Sequence, residues 1–137
     1  MAEKPAPKPT PESQPYWDGA NKGELWIQKC VTTGRFFFPP RNYSPFTIGG
    51  ETVWEQVSGK GKLWSYVINH RPAPGFENDG PYAIAVVELD EGPRLMTNIV
   101  GIENTPENLV LDMPLEVRFE ARGEQQVPVF APAGGAK

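Results

Sequence analysis

Residues 82–101, YAIAVVELDEGPRLMTNIVG, give the clearest structural signal in the chain. Tyr82 to Val87 is a nearly continuous apolar run, which predicts a strand at 82–90 that is covered on both sides. Asp90-Glu91-Gly92 is typical of a hairpin turn, and a second strand is expected at 93–101. This stretch therefore predicts two neighbouring antiparallel strands.

Further strands are predicted on either side of this hairpin. We expect them at 51–58, 61–70 and 114–121, with a short sixth at 127–130. Ser58-Gly59-Lys60-Gly61 predicts a tight turn between the first two. Thr105 and Pro106 offer a helix N-cap and a proline at the first helical position, enough for a single helical turn between two strands. Five strands with a short helical crossing predict a mainly β fold, a five-stranded OB-type Greek-key barrel over residues 51–130.

The N-terminal part has a different character. Residues 1–13 are polar and rich in proline, which predicts a flexible arm, and a similar flexible tail is expected at 131–137. Gln14 to Lys22 predicts a short helix ended by Gly23. We therefore expect residues 14–50 to form the N-terminal helix and a small lobe that precedes the barrel.

That lobe has the spacing of a zinc ribbon in which most ligand positions have changed. Cysteines at 33, 44 and 47 would complete two C-x-x-C knuckles with Cys30, but these positions hold Thr33, Ser44 and Thr47. Neutral hydroxyls are poor zinc ligands, and a single thiolate cannot hold a structural ion. The sequence thus predicts a degenerate zinc-ribbon lobe, relic ligand positions and no cofactor.

Composition excludes several classes of function. The formal net charge of -4 speaks against nucleic-acid binding, which requires a basic face. No apolar run is long enough to predict a membrane span, and residues 1–15 lack the apolar core of a signal peptide. The single cysteine cannot form an internal disulfide, so a cytoplasmic location is expected.

An ordered series of short motifs resembles a known family. The matching pieces are Tyr16-Trp17-Asp18-Gly19, Gly23-Glu24-Leu25, Gln28-Lys29-Cys30, Phe38-Pro39-Pro40-Arg41, Val57-Ser58-Gly59-Lys60-Gly61, Ser65-Tyr66, His70-Arg71-Pro72, Val86 to Gly92, Leu95 to Val100 and Met113 to Val117. Together they resemble the bacterial and archaeal OB-fold proteins with an N-terminal rubredoxin-like zinc ribbon that accompany acyl-CoA-handling enzymes. The resemblance covers about Tyr16 to Phe119.

The resemblance implies an accessory subunit. Family members bind a thiolase-superfamily protein, such as a lipid-transfer-protein-like aldolase of steroid breakdown or an acyltransferase, and the partner supplies the chemistry on the acyl-CoA. The OB-fold subunit is thought to complete the acyl-CoA channel. The implied alternative is a subunit that works with a MaoC-like enoyl-CoA hydratase. A free acyl-CoA-binding or single-stranded nucleic-acid-binding module is a third hypothesis.

Six residues are candidates for contact with the partner or with CoA. They are Phe36, Phe37, Arg41, His70, Arg71 and Phe76. We expect the Phe36–Phe38 run to alternate, with one or two rings buried and one exposed as an interface. The long loop at 71–81 is the best candidate for reaching a partner. The alternative for each is structural: core packing for the rings, a strand-end position for His70 and solvated surface for the arginines.

No catalytic residue is expected. Cys30 could act as a nucleophile with His70 as its base, but nothing in the sequence places the two near each other. The favoured interpretation of Cys30 is a relic ligand that packs as a small apolar side chain.

Overall fold

The structure, a computed structural model, describes residues 6–71 and 80–133. Its elements are α1 (Gln14–Asn21), β1 (Trp26–Cys30), β2 (Phe36–Phe37), β3 (Thr52–Gln56), β4 (Lys60–Asn69), β5 (Tyr82–Leu89), β6 (Arg94–Asn98), β7 (Pro114–Arg122) and β8 (Gln125–Pro132). The predicted helix and the predicted hairpin, β5–β6, are both present. Within the described ranges, no helix has the length and apolar character needed to cross a membrane.

The strands form two antiparallel sheets. The smaller has the order β2-β1-β3 and belongs to the ribbon lobe, while the larger has the order β6-β5-β4-β7-β8. The ends of the larger sheet meet where Ile99 forms a parallel bridge with Phe130 and the Val100 N–H donates to the Phe130 carbonyl at 2.8 Å. This nearly closed ring of five strands confirms the predicted OB-type barrel.

Two strand assignments made from the sequence are corrected. The strand expected first in the barrel, at 51–58, instead pairs with β1 in the ribbon sheet, with Cys30 opposite Thr52 and Trp26 opposite Gln56. The short sixth strand expected at 127–130 is a full barrel strand, β8, which pairs with β7 along eight positions. Periodicity indicates a strand but not the sheet it joins, which explains the first error.

Two glycines make the crossing from the ribbon sheet to the barrel possible. Gly59 has φ +76°, and a Cβ at that position would lie 2.4 Å from Val117 Cγ1. At Gly61, a Cβ would lie 2.4 Å from the Glu88 carbonyl oxygen. Since both approaches require the absence of a side chain, the Ser58–Gly61 segment brings β4 close to β7 and β5 at the same time.

One hydrophobic core joins the two lobes. Leu25 and Ile27 of the ribbon lobe belong to the same buried cluster as Leu63, Val87 and Phe130 of the barrel. Helix α1 adds polar contacts to β8. Asn21 Oδ1 accepts from the Gln126 N–H at 2.8 Å, and Gln125 Nε2 donates to the Trp17 carbonyl at 3.1 Å. The ribbon lobe and α1 are therefore both packed against the barrel.

The sequence predicts that strand β5 is covered on both sides, but the structure shows one buried face and one half-buried face. Its residues alternate: Ala83, Ala85 and Val87 are buried, whereas Ile84 and Val86 are only half-buried. The inner side chains fill the barrel, and the apolar outer ones are only half-buried. The segment at 105–108 forms one hydrogen-bonded turn, with Asn108 N–H donating to the Thr105 carbonyl at 3.0 Å, in agreement with the predicted single turn.

The domain boundaries placed after residues 13, 50 and 130 stay predictions. Phe76, together with most of the 71–81 loop, lies outside the described residues.

Candidate functional site

An open cleft of about 720 Å³ lies between the ribbon lobe and the β5–β6 hairpin. The ribbon contributes Phe36, Phe37 and Phe46 to one wall, and the hairpin contributes Glu88 and Arg94 to the other. The cleft therefore lies at the junction of the two lobes.

The aromatic wall is built from strand β2. Phe37 is buried, and its ring meets Phe46 edge to face with centroids 6.1 Å apart. Phe36 is half-buried, with the Lys29 ammonium 5.5 Å from its ring centroid. Phe38 is also half-buried and packs on Tyr16 at 5.3 Å. One ring is thus buried and two are half-buried. The sequence predicts one exposed ring in this run, and the structure has none.

The charged side chains of the cleft are held by neighbouring groups. The Arg35 guanidinium lies 3.9 Å from the centroid of Phe46 and covers its face. Arg94 Nε donates to Glu88 Oε2 at 3.2 Å, and Glu91 Oε2 accepts from the Ser58 N–H at 3.1 Å. These contacts fix the charges in place, so the cleft offers an apolar floor with ordered cations and carboxylates at its rim.

The cleft has the lining of a site that can bind a ligand or a side chain. Its walls contain no cysteine and no histidine among the residues that line it. Two carboxylates, Glu88 and Glu91, do line it, and each is engaged: Glu88 accepts from Arg94 Nε and Glu91 accepts from the Ser58 N–H. These contacts are suited to the recognition of a ligand or a partner.

Cys30 lies at the end of β1, at the centre of the former knuckles. Its thiol is completely buried. Hydrogen bonds from the side chains of Ser44 and Thr33 stabilise the thiolate and lower the pKa of Cys30 to about 6. The Thr33 N–H also donates to the sulfur at 3.5 Å. Two of the relic positions therefore contact the thiol by hydrogen bonds.

The second knuckle is held to β1 by a buried glutamine. Gln28 Oε1 accepts from the Arg41 N–H at 2.7 Å, and Gln28 Nε2 donates to the Arg41 carbonyl at 2.6 Å. The Ser44 hydroxyl accepts from the Phe46 N–H at 3.0 Å, which shapes the turn that follows. The side-chain amide of Gln28 thus forms both a donor and an acceptor hydrogen bond with the backbone of Arg41, as a residue of a neighbouring strand would.

Other predicted site residues lie away from the cleft. The side chain of Arg41 is exposed on the second knuckle, and His70 and Arg71 are exposed at the end of β4. None of the three lines the cleft. His70 is the residue that follows barrel strand β4 and is exposed, whereas the buried sulfur of Cys30 is hydrogen-bonded within the ribbon lobe by Ser44 and Thr33. These contacts of Cys30 do not include a base.

Sequence reasoning missed Arg35, Glu88 and Arg94 as cleft residues. Glu88 and Arg94 face each other across the β5–β6 hairpin, so the recognised turn at 90–92 could have predicted their pairing. Arg35 could not be found in the same way, because stacking on Phe46 depends on the folded path of the ribbon.

Family models match both lobes. Residues 17–43 match the ChsH2 rubredoxin-like zinc ribbon domain, and residues 54–120 match the ChsH2 C-terminal OB-fold domain. The first match contradicts the expectation that the chain has no cofactor, because a rubredoxin-like ribbon is a type of domain that binds zinc. The prediction that the chain has no cofactor is therefore wrong.

The side chains around Cys30 differ from the usual donors of such a domain. One thiol is accompanied by the hydroxyls of Thr33 and Ser44, and the Thr47 hydroxyl is buried without a hydrogen-bond partner. In the part of the chain that the structure describes, no three His, Cys, Asp or Glu side chains come together to hold a metal ion. These residues do not fit a Cys₄ zinc site, and no step of the function proposed below passes through a metal.

Similar proteins are found among scaffold proteins, hydratase subunits and an aldolase. A DUF35 domain-containing scaffold protein of Pyrococcus furiosus is 34% identical over 103 residues, which are 74% of each chain. A probable enoyl-CoA hydratase alpha subunit of Thermomonospora curvata is 36% identical over 136 residues. Those residues are 96% of this chain but only 41% of the Thermomonospora protein.

A solved structure matches over nearly the whole chain. It is a chain of the Ltp2-ChsH2(DUF35) aldolase, with 32% identity, a TM-score of 0.80 and coverage of 93% of this chain and 99% of that one. This likeness extends over both the ribbon lobe and the barrel. The protein therefore belongs to the DUF35 family, whose ChsH2-type members join a rubredoxin-like zinc ribbon domain to a C-terminal OB-fold domain.

Proposed function

We propose that this chain is a non-catalytic accessory subunit of a cytoplasmic acyl-CoA-processing complex whose catalytic partner belongs to the thiolase superfamily. The observation that supports this most strongly is the match to the Ltp2-ChsH2(DUF35) aldolase, at 32% identity and with 99% of that chain covered. The partner would make or break a carbon–carbon bond beside a thioester. This chain would shape and close the channel for the acyl-CoA.

The geometry of the described residues is in keeping with this role. The thiol of Cys30 is buried and bonded to hydroxyls, whereas a nucleophilic cysteine needs both access and a base. The cleft between the lobes has apolar and charged walls without a cysteine or a histidine, and its carboxylates are held by Arg94 and by the Ser58 N–H. Both features favour binding over chemistry.

The candidate contact residues keep the roles proposed for them. Phe36 and Phe37 line the cleft, where the half-buried ring of Phe36 can meet an apolar group of the partner. The exposed bases Arg41, His70 and Arg71 are suited to the phosphates of CoA or to carboxylates of the partner. Phe76 stays a candidate from the sequence alone.

Isolation from the native host tests the proposal. The chain, tagged at its C-terminus, is purified at low salt, and the proteins that elute with it in size-exclusion chromatography are identified by mass spectrometry. We expect a thiolase-superfamily protein at a fixed ratio to the chain. Elution as the isolated chain, or with bound RNA, would reject the proposal.

A second candidate partner is an enoyl-CoA hydratase. The observation that favours it is the 36% identity to the Thermomonospora hydratase alpha subunit, in which the matched region is 41% of the length. In that case this chain would help to enclose the substrate of a MaoC-like hydratase. The same purification separates the two candidates, because the hydratase and the thiolase differ in sequence and in subunit mass.

A further inference from the structure

The outer face of strands β4, β5 and β6 carries several exposed or half-buried apolar side chains. Val67 and Met96 are 62% and 72% exposed, and Trp64 is 45% exposed. Ile84 and Val86, from the apolar run that had predicted a strand covered on both sides, are half-buried beside them. We call these five residues the outer patch.

Strand register makes the outer patch continuous. Val86 lies opposite Met96 on one side, and Ile84 lies opposite Val67 on the other. Residues directly opposite in antiparallel strands have Cβ atoms about 4.5–5.5 Å apart and share a face. The patch is therefore one apolar surface across three strands, of the kind that marks interaction sites on monomeric proteins.

A β-bulge turns Trp64 towards this face. The pairing of β4 with β5 shifts between Leu63 and Ser65, which leaves Trp64 as the extra residue. Its ring lies 4.0 Å from the guanidinium of Arg94, a residue of the outer row on β6. Tryptophan and arginine are the residues most enriched at the energetic centres of protein interfaces, and methionine is enriched in interface cores.

The charges at the rim of the patch neutralise one another. Glu88 contacts both Lys62, at 3.6 Å, and Arg94, at 3.2 Å. Glu88 and Arg94 also line the cleft between the lobes. These charged side chains therefore lie between the outer patch and the cleft. A neutral, apolar face does not suit a nucleic acid or a free phosphate, although OB folds often bind ligands on the equivalent strands. It suits an uncharged apolar protein surface.

We propose that the outer patch is the surface through which this chain binds its thiolase-superfamily partner, and that the cleft extends the same interface. The inference rests on the proposed function. The partner presents an apolar, uncharged surface to Trp64, Val67 and Met96, and it covers Ile84 and Val86, which are only half-buried. Contacts of Arg94 form the border between the apolar centre and the cleft.

Binding of surface variants to the co-purified partner tests the inference. Met96→Lys and Val67→Lys each place a charge in the patch, and Ile48→Lys makes the same change at a fully exposed position of the ribbon lobe. We expect both patch variants to weaken the affinity by about tenfold or more, and the control to bind as the wild type does. All three melting temperatures should stay near that of the wild type, because the replaced side chains are exposed.

The outcomes separate this inference from the proposed function. If the wild type binds the thiolase-superfamily protein and both patch variants bind equally well, the patch is not the interface and only this inference is overturned. If the wild type binds no such protein, the proposed function fails and the inference falls with it. A wild-type homodimer that Met96→Lys dissociates would assign the patch to a second copy of this chain and contradict the proposal.

Discussion

The barrel and the ribbon lobe of this chain are stabilised in different ways. The barrel has long paired strands around large buried side chains such as Leu63, Leu115 and Phe130. The ribbon sheet has strands of two to five residues, and much of its loop is held by side chains that bond to the backbone, with Gln28 as the central one.

The contrast indicates that the two lobes respond differently to substitution. Burial of apolar surface stabilises the barrel without requiring particular polar partners, so many sequences can form it. The second knuckle depends on a few hydrogen bonds whose loss leaves buried groups without partners. We therefore expect barrel substitutions to change global stability and ribbon substitutions to change local order near the cleft.

The largest effect is expected in the barrel core. Phe130→Ala removes a fully buried ring at the point where β8 closes the barrel against Ile99. The free energy of unfolding should fall by about 3–5 kcal/mol, measured by urea denaturation. Phe130→Leu is the matched control and should cost less. A loss below about 1 kcal/mol for the alanine variant would show that the barrel does not depend on this closure.

An intermediate and local effect is expected for Gln28. Gln28→Ala leaves the N–H and the carbonyl of Arg41 without their partners, at a cost of about 1–3 kcal/mol. Amide exchange should accelerate at Arg41 and in the following knuckle, but not in β7 or β8. Thr52→Val removes only the weaker 3.3 Å bond to Gln28 and should change exchange little. Equal acceleration throughout the chain would contradict a local role.

The thiol of Cys30 tests whether burial or pKa controls reactivity in the ribbon. Its pKa of about 6 would favour rapid alkylation at pH 7, but its complete burial excludes the reagent. We expect iodoacetamide to label the native protein at least about tenfold more slowly than the urea-unfolded protein. Labelling of the native chain as fast as that of the unfolded chain would show that the ribbon opens readily.

The smallest effect is expected at the rim of the cleft. Arg35→Ala removes the guanidinium from the face of Phe46 and should cost about 0.5–1 kcal/mol, because the side chain is exposed. Arg35→Lys should recover part of that loss. A cost as large as that of Gln28→Ala would mean that the cleft wall depends on this stack more than on the knuckle hydrogen bonds.

Features set by neighbouring residues could be predicted from the sequence. The turn at Asp90-Glu91-Gly92 is a local signal, and it placed the β5–β6 hairpin correctly. The same holds for α1, which ends before Gly23. For the aromatic run at 36–38 the sequence predicts one exposed ring, whereas Phe37 is buried and Phe36 and Phe38 are half-buried in the lining of the cleft.

Features set by tertiary contacts could not be predicted in this way. Strand β8 was underestimated because it contains Pro128 and Pro132, which normally exclude a central strand. They are tolerated here because β8 pairs fully only with β7 and meets the β6 side through a single bridge at Ile99. The assignment of β3 to the ribbon sheet and the stack of Arg35 on Phe46 likewise depend on the path of the whole chain.

The most direct test of the accessory role is a comparison of acyl-CoA turnover by three samples: this chain alone, its thiolase-superfamily partner alone, and the complex of the two. The account predicts no turnover by the chain alone and faster turnover by the complex than by the partner alone. Turnover of an acyl-CoA by the purified chain in the absence of any partner would contradict it.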